Sequence, residues 1–150
     1  MSAARAGRDQ ARFDWLTERL EEAGAVLLAM PQRGMGPQLR QVRWPETVAE
    51  GGEGGCSGGG RLRPPVPGAA EITRMDEVFG WIGLIPQDRV VLRRIVHARS
   101  LVSPLTGRHL YSWRKLGTLL GADHKAVQRW HWDGLGLILD ALSNCGKKAC

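Results

Sequence analysis

The residues best suited to recognition chemistry lie in one short stretch, Trp113-Arg-Lys-Leu-Gly-Thr-Leu-Leu-Gly-Ala-Asp-His-Lys-Ala-Val-Gln-Arg-Trp-His-Trp132. His124, Lys125, Gln128 and Arg129 recur within it at helical spacing. Side chains of these types hydrogen-bond base edges in the major groove of DNA or pair with phosphates. Arg114 and Lys115 stand just upstream, where two cations would grip a phosphodiester backbone. Ser112 precedes them and suits a helix N-terminus, whose unpaired amides also attract anions. Arg93, Arg94 and Arg108 are further candidate phosphate contacts.

These side chains need two helices and a tight turn to hold them. The stretch reads as a helix-turn-helix. Leu116, Leu119 and Leu120 give the first helix an apolar face, and Gly117 lets the second helix approach. Gly121 suits a turn residue with positive φ, and Asp123 suits the cap of the second helix. Ala126, Val127 and Trp130 give that helix its inner face. An ordinary helical hairpin would share much of this pattern, so charge carries the functional reading. From Arg89 to Arg129 there are nine bases, and Asp123 is the single acid. The local net of +8 exceeds the +6 of the whole chain. Such a concentration suits a phosphate-facing surface.

A chain of 150 residues holds one moderate domain, or a small one with an arm. The basic excess belongs to its C-terminal half: residues 1–69 carry nine bases and eight acids, residues 70–150 twelve and seven. No apolar run approaches the roughly 20 residues of a membrane span. The first residues lack the apolar core of a signal peptide, so a cytoplasmic protein with no membrane partner is expected. Cys56, Cys145 and Cys150 form no disulfide framework and fit a reducing compartment.

Apolar spacing predicts an all-α fold. Phe13, Leu16, Leu20, Ala23, Val26, Leu27 and Met30 predict an amphipathic helix over 13–30, after a frayed polar start and before Pro31. Trp44-Pro45 is a candidate anchor, and the glycine run of residues 51–60 reads as a flexible linker. It lacks the Lys-Ser/Thr of a phosphate-binding loop. A prolyl segment follows through Pro67 and is expected to be extended. A second helix is expected from about Ala69 to Leu84, and a third opened by Pro86 with Val91, Ile95 and Ala98 inward. Leu135, Ile138, Leu139 and Leu142 form a last stripe; whether Gly134 and Gly136 break the helix before it stays open. Trp81, Trp113 and Trp130 are expected in the interior. The organisation read from this is an N-terminal unit over 1–50, a Gly/Pro-rich linker over 51–68 and a DNA-binding unit over 69–150.

Catalysis and metal chemistry have little to build on. His97, His109, His124 and His131 show no ligand spacing, and Cys145 and Cys150 lie near the tail. Asp76 and Glu77 are adjacent, hence about 100° apart on a helix, and no nucleophile motif is present. No metal, no cofactor and no enzymatic activity are expected.

Leu84-Ile-Pro-Gln-Asp-Arg-Val-Val-Leu-Arg-Arg-Ile-Val96, followed by the bihelical stretch, resembles the promoter −35 reading domain of bacterial sigma factors. Gly121 and Val127 match that pattern, Asp123 replaces its hydroxyl cap, and the loop of residues 100–111 is longer. No segment resembles the sigma domain that melts the −10 element or binds core polymerase. Leu16-Thr-Glu-Arg-Leu-Glu-Glu-Ala23, Trp44-Pro45 and Arg74-Met-Asp-Glu77 extend the likeness to a family of short prophage-encoded proteins, over most of residues 13–142. That resemblance implies a phage context and DNA binding without a defined activity, with the glycine run as a local insertion. The expectation is therefore sequence-specific binding of double-stranded DNA by a phage or prophage transcriptional regulator. The alternatives are a small terminase subunit of DNA packaging and a sigma-like adaptor that binds RNA polymerase. A homo-oligomer and RNA polymerase stand beside DNA as candidate partners.

Overall fold

An apolar stripe at Leu16, Leu20 and Ala23, flanked by Phe13, Val26 and Leu27, drives the start of the chain into a long helix, α1 (Ser2–Ala29). The polar first turns, read as a frayed start, continue the same helix; Ala3, Ala4, Arg5 and Ala11 are strong helix formers. The computed structural model describes residues 2–31 and 63–148. Trp44-Pro45, the glycine run of residues 51–60, Cys56 and Cys150 lie outside the described residues.

The remaining helices are α2 (Ala69–Ile82), α3 (Val90–Ser100), α4 (Trp113–Leu120) and α5 (His124–Lys148). A short 3₁₀ turn, Gln87–Arg89, stands between Pro86 and α3. The fold is all-α. Among the described residues there is no strand, only an isolated antiparallel bridge between Val102 and His109. That bridge turns the loop between α3 and α4 into a small hairpin, closed by backbone bonds from Ser103 to Arg108 and from Leu110 to Leu101.

Two apolar clusters hold the helices. The larger joins Leu16, Leu20 and Ala23 of α1 to Met75, Val78 and Ile82 of α2, with Ile85, Leu92, Val96, Leu135, Ile138 and Leu139. The smaller joins Ile95, Leu116 and Val127 across α3, α4 and α5. The helix of residues 13–30 is thus part of the same core as the C-terminal helices. Arg12 ties the two ends together by donating to the Leu139 carbonyl and the Ser143 hydroxyl. Trp15 and Trp81 stack at 5.6 Å on the same side. No described helix is long and apolar enough to cross a membrane.

α5 settles the point left open by Gly134 and Gly136: it is one helix of 25 residues. Gly134 is buried where α5 meets α3, and a Cβ there would come within 2.8 Å of Val96 Cγ2. The helix tolerates the glycine because the close crossing requires it. Gly24 plays a stricter part in α1; a Cβ would lie 1.9 Å from the Ser100 carbonyl oxygen.

Several inward positions differ from the sequence expectation. Trp130 and Leu119 are exposed, Leu119 by 65 %. His131 is buried in place of Trp130. The reason is the length of α5. Its stripe is fixed by Leu135 and Ile138, and four and seven residues back from these lies position 131, not 130. In α4, eight residues long, the inner line passes through Leu116, Gly117 and Leu120, and Leu119 falls outside it. In α3, Leu92, Ile95, Val96 and Ser100 are buried, whereas Val91 is exposed. Trp81 and Trp113 are half-buried. α2 ends at Ile82, two residues before the expected limit.

Candidate nucleic-acid interface

α4 begins because Ser112 is extended and its hydroxyl oxygen accepts from the Lys115 backbone N–H at 3.2 Å. It ends because Gly121 adopts φ +63°, in the left-handed region. The Ala122 N–H then donates to the Gly117 carbonyl at 2.9 Å, which folds the chain back. Gly117 is needed at that point, since a Cβ would stand 2.6 Å from the Ala122 oxygen. Asp123 caps α5 by accepting from the Lys125 N–H at 3.1 Å. Leu116 and Val127 lock the two helices onto Ile95. The turn, the cap and the close approach fall on the residues expected from the sequence.

This frame leaves Lys125 and Arg129 exposed on the outer face of α5, four residues apart and therefore on one side. Gln128 is half-exposed beside them. His124 is half-exposed too, with its Nδ1 3.0 Å from an Asp123 carboxylate oxygen. Arg114 and Lys115 are exposed on the first turn of α4. The Lys115 ammonium rests 4.6 Å above the Tyr111 ring. Among the described residues no acid pairs with Lys125, Arg129, Arg114 or Lys115. Arg114, Thr118, Asp123 and His124 line a shallow depression over the turn, so the two helix starts share one surface.

The other predicted cations are distributed differently. Arg108 is exposed on the hairpin, beside Gly107 at φ +66°. Arg94 is exposed, but with Arg93 it borders a separate hollow formed by Phe79, Ile82, Gly83 and His97. Arg93 points back into the fold. Its Nε donates to the Ile85 carbonyl at 2.7 Å and its Nη2 to the Gly83 carbonyl at 3.0 Å, which satisfies the end of α2. The guanidinium of Arg93 therefore serves the fold, and the surface over the α4–α5 turn is built from Arg114, Lys115, Lys125 and Arg129.

Behind that surface lies a half-buried polar cluster, with His131 at its buried end, that the sequence reading passed over. Arg99 donates to the Tyr111 carbonyl at 2.9 Å and lies 4.1 Å over the Trp113 ring. Burial lowers its pKa, and the nearby Glu21 opposes the shift. His109 uses Nδ1 on the Arg99 carbonyl at 2.9 Å and Nε2 on Glu21 at 3.4 Å, so the hairpin is clasped to both α3 and α1. His131 packs edge-on to Trp113 at 5.2 Å, and its Nδ1 has no hydrogen-bond partner. Burial, then the charges of Arg99 and His109, push its pKa down to about 4. The available signal was periodic: positions 92, 95, 96 and 99 share one face of α3, as 127, 131, 135 and 138 do of α5.

The arrangement offers exposed cations, an amide and a cap at adjoining helix starts, and a rigid support behind them. Among the described residues no three His, Cys, Asp or Glu side chains are grouped as a metal site would require. No curated protein and no solved structure matches the chain. Residues 29–138, which take in α2, α3, α4 and α5 as far as Ile138, match the family described as Domain of unknown function (DUF6362), and the chain belongs to that family.

Proposed function

We propose that this chain binds double-stranded DNA in a sequence-specific manner through a helix-turn-helix formed by α4 and α5, as a transcriptional regulator in a phage or prophage setting. The observation that carries the reading is the exposure of Lys125 and Arg129 on one face of α5, with Arg114 and Lys115 at the start of α4 and no described acid in an ion pair with any of them. The first turns of α5 enter the major groove. Lys125, Gln128 and Arg129 read base edges, with His124 at the rim. Arg114, Lys115 and the helix start under Ser112 hold the phosphate backbone, and Arg108 extends the contact to flanking phosphates. The role is binding, without catalysis.

A regulator is favoured over a packaging subunit by the position of α1. A ring-forming subunit needs a free apolar helix face, whereas Leu16, Leu20 and Ala23 of α1 are buried in the chain's own core. The double variant Lys125→Ala/Arg129→Ala is expected to bind duplex DNA at least tenfold more weakly, since a good base contact is worth about 1–3 kcal/mol. Arg114→Ala is expected to weaken all sequences alike and to lower the salt slope by about one. Fluorescence anisotropy with labelled duplexes measures both. Unchanged affinity in both variants rejects this face as the interface.

A further inference from the structure

On α5 the strip of Lys125, Gln128 and Arg129 continues to Trp132, which follows Gln128 by four residues and Arg129 by three. Trp132 is 44 % exposed, a large apolar surface to leave in water beside a cationic strip. Its ring is not loose: Phe13 of α1 meets it edge-on at 5.5 Å and 73°, and His131 meets it at 5.9 Å. Beyond Trp132 the same side of α5 passes beneath α1, where a Cβ added at Gly136 would stand 3.9 Å from Phe13 Cζ. Among the described residues Trp132 is therefore the last exposed apolar residue of that strip. Asp133 is also exposed, four residues after Arg129, and its carboxylate disfavours a phosphate at this level. The contact available there is apolar.

We infer that Trp132 is a duplex-contacting residue, whose indole packs against the apolar wall of the groove, a deoxyribose face or a thymine methyl, one turn beyond Arg129. This rests on the DNA-binding reading above. Phe13 holds the ring in place, so α1 sets the edge of the footprint. The contact is shape-selective and uncharged, which separates it from the cations beside it.

The test uses the full chain and a duplex selected by the wild-type protein from a random-sequence pool. Trp132→Ala is expected to weaken binding about tenfold with the salt slope unchanged, whereas Arg129→Ala lowers that slope by about one. Replacing thymines by deoxyuridine in the duplex separates the two apolar sources. A loss that appears in wild type and not in Trp132→Ala assigns the methyl, and no loss assigns the sugar. Trp132→Phe keeps a ring against Phe13 and serves if the alanine variant does not fold. In it, the change in tryptophan emission that wild type shows on duplex addition is expected to shrink. Wild-type affinity in a folded Trp132→Ala protein overturns the inference, as does a reduced salt slope in that variant or an undiminished emission change in Trp132→Phe. A wild-type chain with no affinity for duplex DNA removes the DNA-binding reading and this inference together; a wild-type chain that binds and is indifferent to position 132 removes this one alone.

Discussion

His131 is a neutral ring held where a charged one is penalised. It is 7 % exposed, faces Trp113 and Trp132, and has the Arg99 guanidinium as a cationic neighbour. Its pKa falls from the ordinary 6.5 to about 4 in the folded chain. Above pH 6.5 the ring is neutral in both states and stability is unaffected. Below that, the unfolded chain takes up a proton that the folded chain refuses, so stability declines as pH falls, until about pH 4. Between pH 7 and pH 5 this one residue removes about 2 kcal/mol. Urea unfolding at the two pH values measures the loss, and His131→Phe is expected to shrink it, because phenylalanine keeps an aromatic ring against Trp113 and has nothing to titrate. An equal pH dependence in wild type and variant would show that the ring is not the source. The residue also marks what single positions revealed in advance. Lys125 and Arg129 were legible as outward because hydrophilic side chains on an amphipathic helix face water. His131 was not, because histidine is at home on either side and only the tertiary register decides.

That register belongs to whole elements. The turn between α4 and α5 was readable because its requirements are local: one positive φ at Gly121, one small residue at Gly117, one side-chain cap at Asp123. Ile95 and Val127 face inward as expected, but one position on each helix was read one residue out, Val91 for Leu92 and Trp130 for His131, because a short window fits two neighbouring stripes about equally well. Only the continuation of α5 through Gly134 chooses between them. Glycines divide the same way, into those that a crossing demands and those that it does not. Gly24→Ala places a methyl 1.9 Å from the Ser100 carbonyl and is expected to lower the melting temperature by about 10 °C or more, since α1 or α3 must move. Gly80 lies in α2 with nothing within 4 Å of its missing Cβ. Gly80→Ala is expected to raise stability by about 0.5–1 kcal/mol through the cost of glycine in a helix. Thermal melting of the two variants reads both directions, and a neutral Gly24→Ala would mean that the α1–α3 crossing is looser than described.

At the scale of the molecule the question is whether α1 is an arm or part of the domain. The sequence left both open, because a glycine run and a prolyl stretch separate residues 13–30 from the cationic half. Linker composition reports on the covalent path alone and says nothing of where the helix returns. Leu16 is fully buried and Leu20 nearly so, and both sit against Val78, Val96, Leu135 and Ile138 in one cluster. Burying a leucine is worth about 1.5–3 kcal/mol, so two leucines with Ala23 and the flanking Phe13 and Leu27 amount to several kcal/mol. A domain of this size is stable by only about 5–15 kcal/mol in total. Removing α1 therefore takes away a large fraction of the margin and exposes the apolar faces of α2 and α5. The full chain is expected to unfold in a single transition followed alike by circular dichroism and tryptophan emission. A fragment of residues 63–150 is expected to keep helical signal, to bind a dye for exposed apolar surface and to melt without a sharp transition. A fragment that melts as sharply as the full chain, at a similar temperature, would make α1 an appendage and leave the α4–α5 surface dependent on the C-terminal helices alone.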